Sequence, residues 1–544
     1  MRTGGRADPK GLPDGRGRTG GLGLAGLWFV AQTAAGQQPG IDVKSYMFFI
    51  TLPDSGRAIR GDALVNFERR TSTDSVLTLD LVGMTVDSVR IASILREGPR
   101  TPFTYDGRVL RIPVPAGPPP FSVVVSYHGA PQDGLIIGPN ARGRRGAFAD
   151  NWPQRARFWL PTVDHPSDKA TVTFAVFAPT PWRVVANGRL NRGAWTEARP
   201  IPTYTMVLAA GEFAVSRHRA LINGRDTVPI DVWTYPEDSA HADSVPFRRV
   251  SEITEGLQRI IGPFPYEKLA HVESATRFGG MENSSAIFYA EKPYIERRMR
   301  EGVVRHETAH QWFGDAVTPR DWHHLWLSEG FASYLNLVVG AALDGDTLLA
   351  GGMARNAESY FASDVVDRPI IDTTVTDPML LLNANNYPKG AWVLHMLRGV
   401  TGDSAFFRGL RTYYRTYRDS TATSEDFQQV MEGAAGVELG WFFRQWLRQP
   451  GYPQLDVTWQ YDAASGRVLL GVTQSQKATW GLFRIPVLTL EFRGADGTVW
   501  RRDVLLTGRQ AFPRFDIPFA PTEVRVDPGG KLLLRATVTR AAGN

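Results

Sequence analysis

The sequence has 544 residues, 43% of them hydrophobic and 21% charged, which predicts two to four globular domains and excludes a largely disordered chain or a polytopic membrane protein. It has no cysteine, which excludes disulfides, thiolate metal ligands and cysteine nucleophiles and leaves histidine and carboxylates as metal ligands. Half of the formal net charge of +6 lies in the first twenty residues, so the charge does not favour nucleic-acid binding.

The N-terminal segment has the three parts of an export signal. A basic stretch is followed by an apolar run from Gly20 to Ala31 and by small residues up to Gly36. We expect residues 1–36 to be a signal peptide and the mature protein to be exported to the periplasm or the extracellular space. An uncleaved anchor or a misassigned start codon is the alternative. No later stretch approaches about eighteen consecutive apolar residues, so we expect no stable membrane insertion.

Residues 37–235 show the alternation of β-strands. Leu77, Leu79 and Leu81 alternate with Thr78 and Asp80. Clusters of Pro and Gly interrupt the pattern at short intervals, as turns do. This region is predicted to be an N-terminal antiparallel β domain.

Residues 236–450 have helical spacing, and residues 451–544 return to alternation. The alternation at Val468, Leu470 and Val472 predicts a small C-terminal β-sandwich. The whole chain is therefore predicted to be a multidomain α+β protein. Five helices are predicted in the middle region, over residues 251–261, 295–313, 327–343, 389–400 and 406–417.

The predicted helix over 295–313 contains the pattern His-Glu-x-x-His. Residues four apart lie on one face of a helix, so His306 and His310 can bind the same ion, with Glu307 next to them. A catalytic zinc typically has three protein ligands. Glu329 follows His310 after eighteen intervening residues, at the start of the next predicted helix, and is the candidate for the third ligand.

The pattern HETAH, eighteen residues and Glu329 resembles the gluzincin metallopeptidases. The segment Gly279-Gly280-Met281-Glu282-Asn283 is similar to the GxMEN motif of the M1 aminopeptidases. Further similar segments extend the resemblance over most of the mature chain: Arg157–Pro161, Asp164–Thr171, Tyr387–Ala391 and Phe442–Pro453. The resemblance implies a thermolysin-like, mostly helical catalytic domain over 236–450.

The resemblance also implies roles for individual residues. His306, His310 and Glu329 would hold one zinc per chain, and Glu307 would be the general base that takes a proton from the attacking water. Tyr387 would donate a hydrogen bond to the oxyanion of the tetrahedral intermediate. The segment Gly279–Asn283 would bind the substrate. The implied activity is a zinc aminopeptidase that removes single residues from the N-termini of peptides.

Glu282 distinguishes an aminopeptidase from an endopeptidase in this interpretation. A carboxylate at the closed end of a cleft pairs with a free α-ammonium, whereas an acylated N-terminus would leave the buried charge unpaired. Gly279 and Gly280 add no side-chain bulk and so allow a peptide backbone to approach. We therefore expect the partners to be peptides with a free N-terminus. The N-terminal residue preference, the physiological peptide and the oligomeric state are left open.

The sequence departs from the family pattern at three places. The position where many relatives carry a second anchor for the amino group is Trp152, next to Asn151. Either Asn151 substitutes or Glu282 acts alone. The common Asp-Glu-Pro sequence is Asp164-His165-Pro166, so His165 is predicted to be structural. The chain resembles a short form without the large helical C-terminal domain of many relatives.

Two other functions stay open at this point. A thermolysin-like endopeptidase would make Glu282 incidental. A non-catalytic scaffold of the same fold would tolerate damaged zinc ligands, and none of His306, His310 and Glu329 is replaced. Two further histidines, His323 and His324, are predicted to face solvent or to pack in a loop, with a second metal site or an outer role at the zinc as the alternative. Asp315 is a weaker candidate for orienting a ligand histidine.

Overall fold

The computed structural model describes residues 38, 40–70, 75–93, 96–114, 121–222 and 226–541. The predicted signal peptide at 1–36 lies outside these residues and stays a prediction. The chain divides into two compact units. The first contains the chain up to Asp321 together with Tyr414–Thr423, and the second contains Trp322–Tyr413 and the residues from Ser424 onward.

The described residues of the first unit begin with fifteen strands, arranged in three sheets. An eight-stranded sheet has the order β13-β14-β11-β1-β2-β8-β4-β5, a four-stranded sheet the order β12-β15-β10-β9, and a three-stranded sheet the order β3-β7-β6. The strands are β1 (Ile41–Thr51), β2 (Ile59–Arg69), β3 (Val76–Asp80), β4 (Thr85–Ser93), β5 (Arg96–Arg100), β6 (Thr104–Tyr105), β7 (Val109–Pro113), β8 (Phe121–Gly129), β9 (Leu135–Pro139), β10 (Arg145–Ala149), β11 (Lys169–Phe177), β12 (Arg183–Ala186), β13 (Arg189–Asn191), β14 (Ala194–Pro202) and β15 (Leu208–Gly211).

Alternation of side chains explains why these strands form a layer with one buried face. In β2 every second residue from Ile59 to Phe67 is buried. The pairing is antiparallel except between β1 and β11, which run parallel with Phe48 opposite Phe174. Those two rings stack with centroids 5.4 Å apart, and Trp159 stacks on Phe174 at 6.2 Å.

The first unit continues with a mixed five-stranded sheet and four helices. The sheet order is β16-β17-β18-β20-β19, and β18 runs parallel to both of its neighbours. All of β18 is buried, as expected for a strand covered on both faces. The elements are β16 (Ala214–Ile222), β17 (Asp226–Thr234), α1 (Ser239–Ser244), α2 (Val250–Ile261), β18 (Leu269–Ser274), β19 (Gly280–Met281), β20 (Ala286–Ala290), α3 (Glu291–Ile295), α4 (Glu301–His310), and the parallel pair β21 (Val317–Pro319) and β22 (Ser420–Ala422).

Helices dominate the chain between Asp321 and residue 450. In the second unit, Phe427 packs against Phe331 and Tyr413, with ring centroids 5.0 Å and 4.9 Å apart. The helices are α5 (Trp326–Asp344), α6 (Thr347–Phe361), α7 (Gly390–Thr401), α8 (Asp403–Tyr417), α9 (Ser424–Ala435) and α10 (Gly440–Arg448).

The second unit ends in a β-sandwich-like pair of sheets. One has the order β27-β24-β23-β30, with β28 also paired to β24, and the other has the order β26-β25-β29. The strands are β23 (Gln454–Asp462), β24 (Arg467–Gln474), β25 (Ile485–Gly494), β26 (Val499–Leu506), β27 (Gln510–Ala511), β28 (Arg514–Asp516), β29 (Pro521–Val526) and β30 (Arg535–Arg540).

This architecture confirms the predicted fold class of an N-terminal multi-sheet β region, a helical region and C-terminal strands. The single helix predicted over 295–313 is wrong in detail. The chain forms α3 and α4 instead, because Arg297 has a left-handed backbone, φ +54°, that stops a right-handed helix. Within the described residues, no helix is both long enough and apolar enough to cross a membrane.

The predicted domain ranges 37–235, 236–450 and 451–544 stay predictions. β17 ends at Thr234 and pairs with β18, so one five-stranded sheet includes residues from both sides of the predicted boundary at 235. The two compact units divide the chain at Asp321 and not at 235 or 450.

Candidate active site

Helix α4 presents both histidines of the HETAH segment on one face. The Nε2 atoms of His306 and His310 lie 3.1 Å apart, and both residues are buried. Two nitrogen atoms that each bind one tetrahedral zinc at 2.0–2.1 Å are about 3.3 Å apart. The pair therefore has a spacing that suits a single metal ion.

The other ring nitrogen of His310 faces a backbone carbonyl. Its Nδ1 lies 3.2 Å from the carbonyl oxygen of Phe313, so Nδ1–H donates and Nε2 keeps its lone pair for a metal. Asp315, the predicted candidate for this contact, instead accepts a 2.8 Å hydrogen bond from Gln311 through Oδ2. The carbonyl of Phe313 therefore takes the orienting role at His310.

Carboxylates gather next to these histidines. One oxygen each of Glu282 and Glu307 and one ring nitrogen of His310 lie within 4.8 Å of one another, and all three residues are buried. Burial, together with the charges of Glu282 and Glu307, raises the pKa of Asp315 well above its usual range. Several buried acids at such short range repel one another unless a cation lies among them, so this donor set fits a metal ion.

Lys169, at the start of β11 in the same unit, lies next to the loop that follows α4. Its Nζ donates hydrogen bonds to the carbonyl oxygens of Asp315 and Ala316, at 2.8 and 2.9 Å. Burial lowers the pKa of Lys169 to about 7. The ammonium binds main-chain oxygens and so holds the loop that follows α4.

The predicted substrate-binding segment, Gly279–Asn283, lies next to Glu307. Gly280 and Met281 form β19 and pair with Tyr289 and Phe288 of β20. A Cβ atom built on Gly280 would lie only 2.2 Å from Oε1 of Glu307. Glycine is therefore needed at this position, because the backbone of β19 lies directly on the Glu307 carboxylate.

The ends of the GGMEN segment are fixed by main-chain bonds. The carbonyl oxygen of Gly279 accepts from the amide of Ala290 at 3.2 Å, and that of Asn283 accepts from Ala286 at 2.9 Å. Met281, Glu282 and Asn283 are all buried. The structure thus brings five predicted residues together in one unit: His306, Glu307, His310, Gly280 and Glu282.

Two of the predicted residues, Glu329 and Tyr387, lie in the second unit. Glu329 is in the first turn of α5 and is fully buried. Tyr387 is in a π-helical turn, Asn385–Lys389, that leads into α7, and such turns are frequent at functional sites. A Cβ atom on Gly330 would lie 2.9 Å from backbone atoms of Gly390. This close approach joins the helix that carries Glu329 to the turn that carries Tyr387.

Asn151 and Trp152, at the position of the second amino-group anchor in many relatives, have contacts within the protein. Asn151 Nδ2 donates to the carbonyl oxygen of Met206 at 2.7 Å, and its Oδ1 accepts from Trp159 Nε1 at 2.8 Å. Trp152 is buried and packs edge to face against Phe278, with ring centroids 5.8 Å apart. Both side chains are therefore engaged within the protein.

The histidines predicted to lie outside the zinc site, His323, His324 and His165, have contacts within the protein. His323 Nε2 lies 3.0 Å from the carbonyl oxygen of Val375, His324 Nδ1 lies 2.8 Å from Ser424 Oγ, and His165 Nδ1 lies 2.7 Å from Ser167 Oγ. Burial lowers the pKa of His165 below its usual value. These contacts agree with the predicted packing roles.

Gln311 and Lys169 form hydrogen bonds at the site that were not predicted from the sequence. Gln311 follows His310 in the HETAHQ segment, which was a usable signal. Lys169 is 146 positions away from Asp315, and only the fold connects them.

Comparisons with known proteins point to the same family that the sequence motifs resemble. Residues 249–446 match the model of the peptidase family M1 domain. A probable aminopeptidase 2 of Sulfurisphaera tokodaii is 28% identical over 71% of this chain and 51% of its own length. The chain spans a smaller share of other aminopeptidases that it matches, such as 37% of aminopeptidase N of Streptomyces lividans.

Solved structures of peptidases are also similar to this chain. A variant of the M1 zinc metallopeptidase of Deinococcus radiodurans, bound to a Tyr-Ser-Ala substrate, is 27% identical, with a TM-score of 0.65 over 76% of this chain and 95% of that chain. Aminopeptidase A of Legionella pneumophila, solved with aspartic acid, has a TM-score of 0.77 over 92% of this chain and 60% of its own, and at 18% identity it shows the fold alone. Residues 249–446 are therefore similar to the domain of peptidase family M1.

Proposed function

We propose that the protein is a zinc-dependent aminopeptidase that hydrolyses the N-terminal bond of peptides. The observation that carries this proposal is the buried carboxylate of Glu282 next to Glu307 and His310. A second carboxylate beside a catalytic carboxylate is costly unless cations pair with it. A metal ion and the α-ammonium of a peptide supply the two cations that this arrangement needs.

His306, His310 and Glu329 are the proposed ligands of one zinc. The Nε2 atoms of the two histidines support this assignment by their spacing, and Glu329 is supported by its eighteen-residue spacing from His310 and by its burial. When bound, zinc would polarise the scissile carbonyl and lower the pKa of the attacking water.

Glu307 is the proposed general base. It takes a proton from the attacking water and passes that proton to the leaving amine, so one carboxylate acts first as a base and then as an acid. Its position is fixed by α4 on one side and by the backbone of β19 at Gly280 on the other. Tyr387 is proposed to donate a hydrogen bond to the oxyanion, as the family resemblance implies.

Glu282 is proposed to pair with the free α-ammonium of the substrate. This contact would fix the N-terminal residue at one end of the site, so that only the first peptide bond reaches Glu307. The Deinococcus relative was solved with a Tyr-Ser-Ala substrate, a short peptide, which is the substrate class proposed here. An N-acetylated peptide would leave the Glu282 charge without its partner.

The test compares a free-amino peptide with its N-acetylated counterpart, each with and without a zinc chelator. We expect cleavage of the free-amino peptide, one residue at a time from its N-terminus, with loss of activity in the chelator. The acetylated peptide is expected to be cleaved at least about 100-fold more slowly, because a buried charge left unpaired costs several kcal/mol. Equal cleavage of both peptides would support an endopeptidase instead.

Replacing Gly280 with Ala is expected to lower kcat and to change the thermal unfolding midpoint only slightly. The added methyl group would overlap Oε1, Cδ and Cγ of Glu307, at 2.2 to 2.7 Å, so the carboxylate must move. A displacement of about 1 Å from the reacting atoms can reduce the rate by about 100-fold. The measurement is kcat on an aminoacyl anilide, together with the thermal unfolding midpoint.

Gly433→Ala is the matched control for this substitution. Gly433 lies in α9, and a Cβ atom there would have no neighbour within 4 Å. Alanine at this position should raise stability by about 0.5–1 kcal/mol and leave kcat unchanged. A Gly280→Ala variant with the kcat of the control would show that β19 does not set the position of Glu307.

A further inference from the structure

Gln311 uses both ends of its amide to connect α4 to the segment that carries Glu282. Its Nε2 donates to the carbonyl oxygen of Glu282 and to Oδ2 of Asp315, both at 2.8 Å. Its Oε1 accepts from the backbone amide of Ser285 at 2.7 Å. The side chain is fully buried, so water cannot replace these bonds at low cost.

The far side of the same turn is held by different groups. Lys268 Nζ donates to the carbonyl oxygen of Ser285 at 2.8 Å, and Asn187 Nδ2 donates to that of Ser284 at 2.6 Å. The amide of Gly188 donates to Ser285 Oγ at 2.8 Å. Residues 284 and 285 would therefore keep their place without Gln311, whereas the carbonyl of Glu282 would lose its hydrogen bond to Gln311.

The electrostatics make this connection important. Glu282 and Glu307 each place a carboxylate oxygen within 4.8 Å of the other, and like charges at that range push the two side chains apart. Gln311 directly follows His310 and caps the C-terminus of α4, the helix of Glu307. The hydrogen bond from Gln311 to the main-chain carbonyl of Glu282 opposes the separation of the two carboxylates, because it holds the backbone that carries the Glu282 side chain.

We propose that Gln311 is a positioning residue that fixes the distance between Glu282 and the HETAH helix, so that recognition of a free substrate amine depends on it. This inference rests on the proposed function and adds a residue to it. Gln311 would act through Glu282 and would not touch the substrate.

The test replaces Gln311 with Met, which has similar length and no amide. We expect KM for an aminoacyl anilide to rise about tenfold while kcat changes less than about threefold, because one buried hydrogen bond to Glu282 is lost. Inhibition by an amino-acid hydroxamate should weaken about tenfold, whereas inhibition by acetohydroxamate, which has no amine, should stay the same. Unchanged zinc content would exclude damage to the metal ligands.

Gln474→Met is the matched control. Gln474 is also fully buried, and its amide donates to the carbonyl oxygens of Phe483 and Gly508 at 2.8 and 2.9 Å and accepts from the amide of Phe483 at 2.9 Å. It lies in β24 of the C-terminal sheets. The two variants should lose similar stability, but only Gln311→Met should change the preference for the amino-bearing hydroxamate.

A double-mutant cycle with Glu282→Ala decides whether Gln311 acts through Glu282. In the Glu282→Ala background, Gln311→Met should change KM less than about twofold, because the group that it positions is already gone. Additive effects, or a single variant with wild-type KM and hydroxamate preference, would overturn the proposal. If the wild type itself does not prefer the amino-bearing hydroxamate, the proposed function fails instead.

A second variant covers the case in which Gln311→Met does not fold. Gln311→Glu keeps the volume and the acceptor for Ser285 but removes the amide donors to Glu282 and Asp315. We expect the same rise in KM and the same loss of hydroxamate preference. A folded Gln311→Glu variant with both properties unchanged would also overturn the proposal.

Discussion

Replacing Glu307 with Gln is expected to remove nearly all peptide hydrolysis while the protein stays folded and binds zinc. Gln has the same shape but cannot accept a proton at neutral pH, and proton transfer by a positioned side chain contributes about 10²–10⁴-fold to rate. We therefore expect kcat on an aminoacyl anilide to fall by at least about 100-fold. KM should change little, because Glu282 and not Glu307 is proposed to bind the substrate amine.

Glu301→Gln is the matched control, because it makes the same chemical change at the other end of α4. Glu301 lies in the first turn, where Oε2 accepts from Arg249 Nε at 2.9 Å, outside the group of Glu282, Glu307 and His310. The control should lose some stability and keep its kcat. A Glu307→Gln variant with full zinc content and kcat within about threefold of wild type would remove Glu307 from the mechanism.

The fold was predictable wherever periodicity alone decides the structure. Alternation identified β3 and β24, and helical spacing identified α2, α5 and α7 close to their bounds. The short buried strands β18 to β20 were missed, because a strand covered on both faces has no alternation to detect. The break between α3 and α4 was missed because it depends on one left-handed residue, Arg297, and not on a change of pattern.

The site was predictable where chemistry lies in local motifs. His306, Glu307 and His310 are separated by a helical spacing that can be read from sequence, and Glu282 was assigned through the resemblance of GGMEN to a family motif. The contacts that fix these groups were not predictable, because they join distant segments. The bond between Gln311 and Glu282 spans 29 positions, and that between Lys169 and Asp315 spans 146.

Removing any one of the proposed zinc ligands is expected to weaken zinc binding by more than about 100-fold. Loss of a hydrogen bond that orients a metal ligand already lowers metal affinity about 10–100-fold, so loss of the ligand itself must lower the affinity further. His306→Ala, His310→Ala and Glu329→Ala should each be purified with much less than one zinc per chain. Competition with a chromogenic chelator gives the affinity, and metal analysis gives the content.

His395→Ala separates loss of a ligand from loss of a buried histidine. His395 lies in α7, its ring packs against Tyr334 with centroids 5.8 Å apart, and burial lowers its pKa to about 4. This control should lose stability and keep its zinc.

The outcome at Glu329 is the most informative, because sequence spacing and burial support its assignment, whereas the histidine pair is also supported by the distance between its Nε2 atoms. Retention of a full zinc in Glu329→Ala would transfer the third ligand to a carboxylate that already lies near His310, either Glu282 or Glu307. In that case the amine-binding role of Glu282 or the proton-transfer role of Glu307 would have to be reassigned.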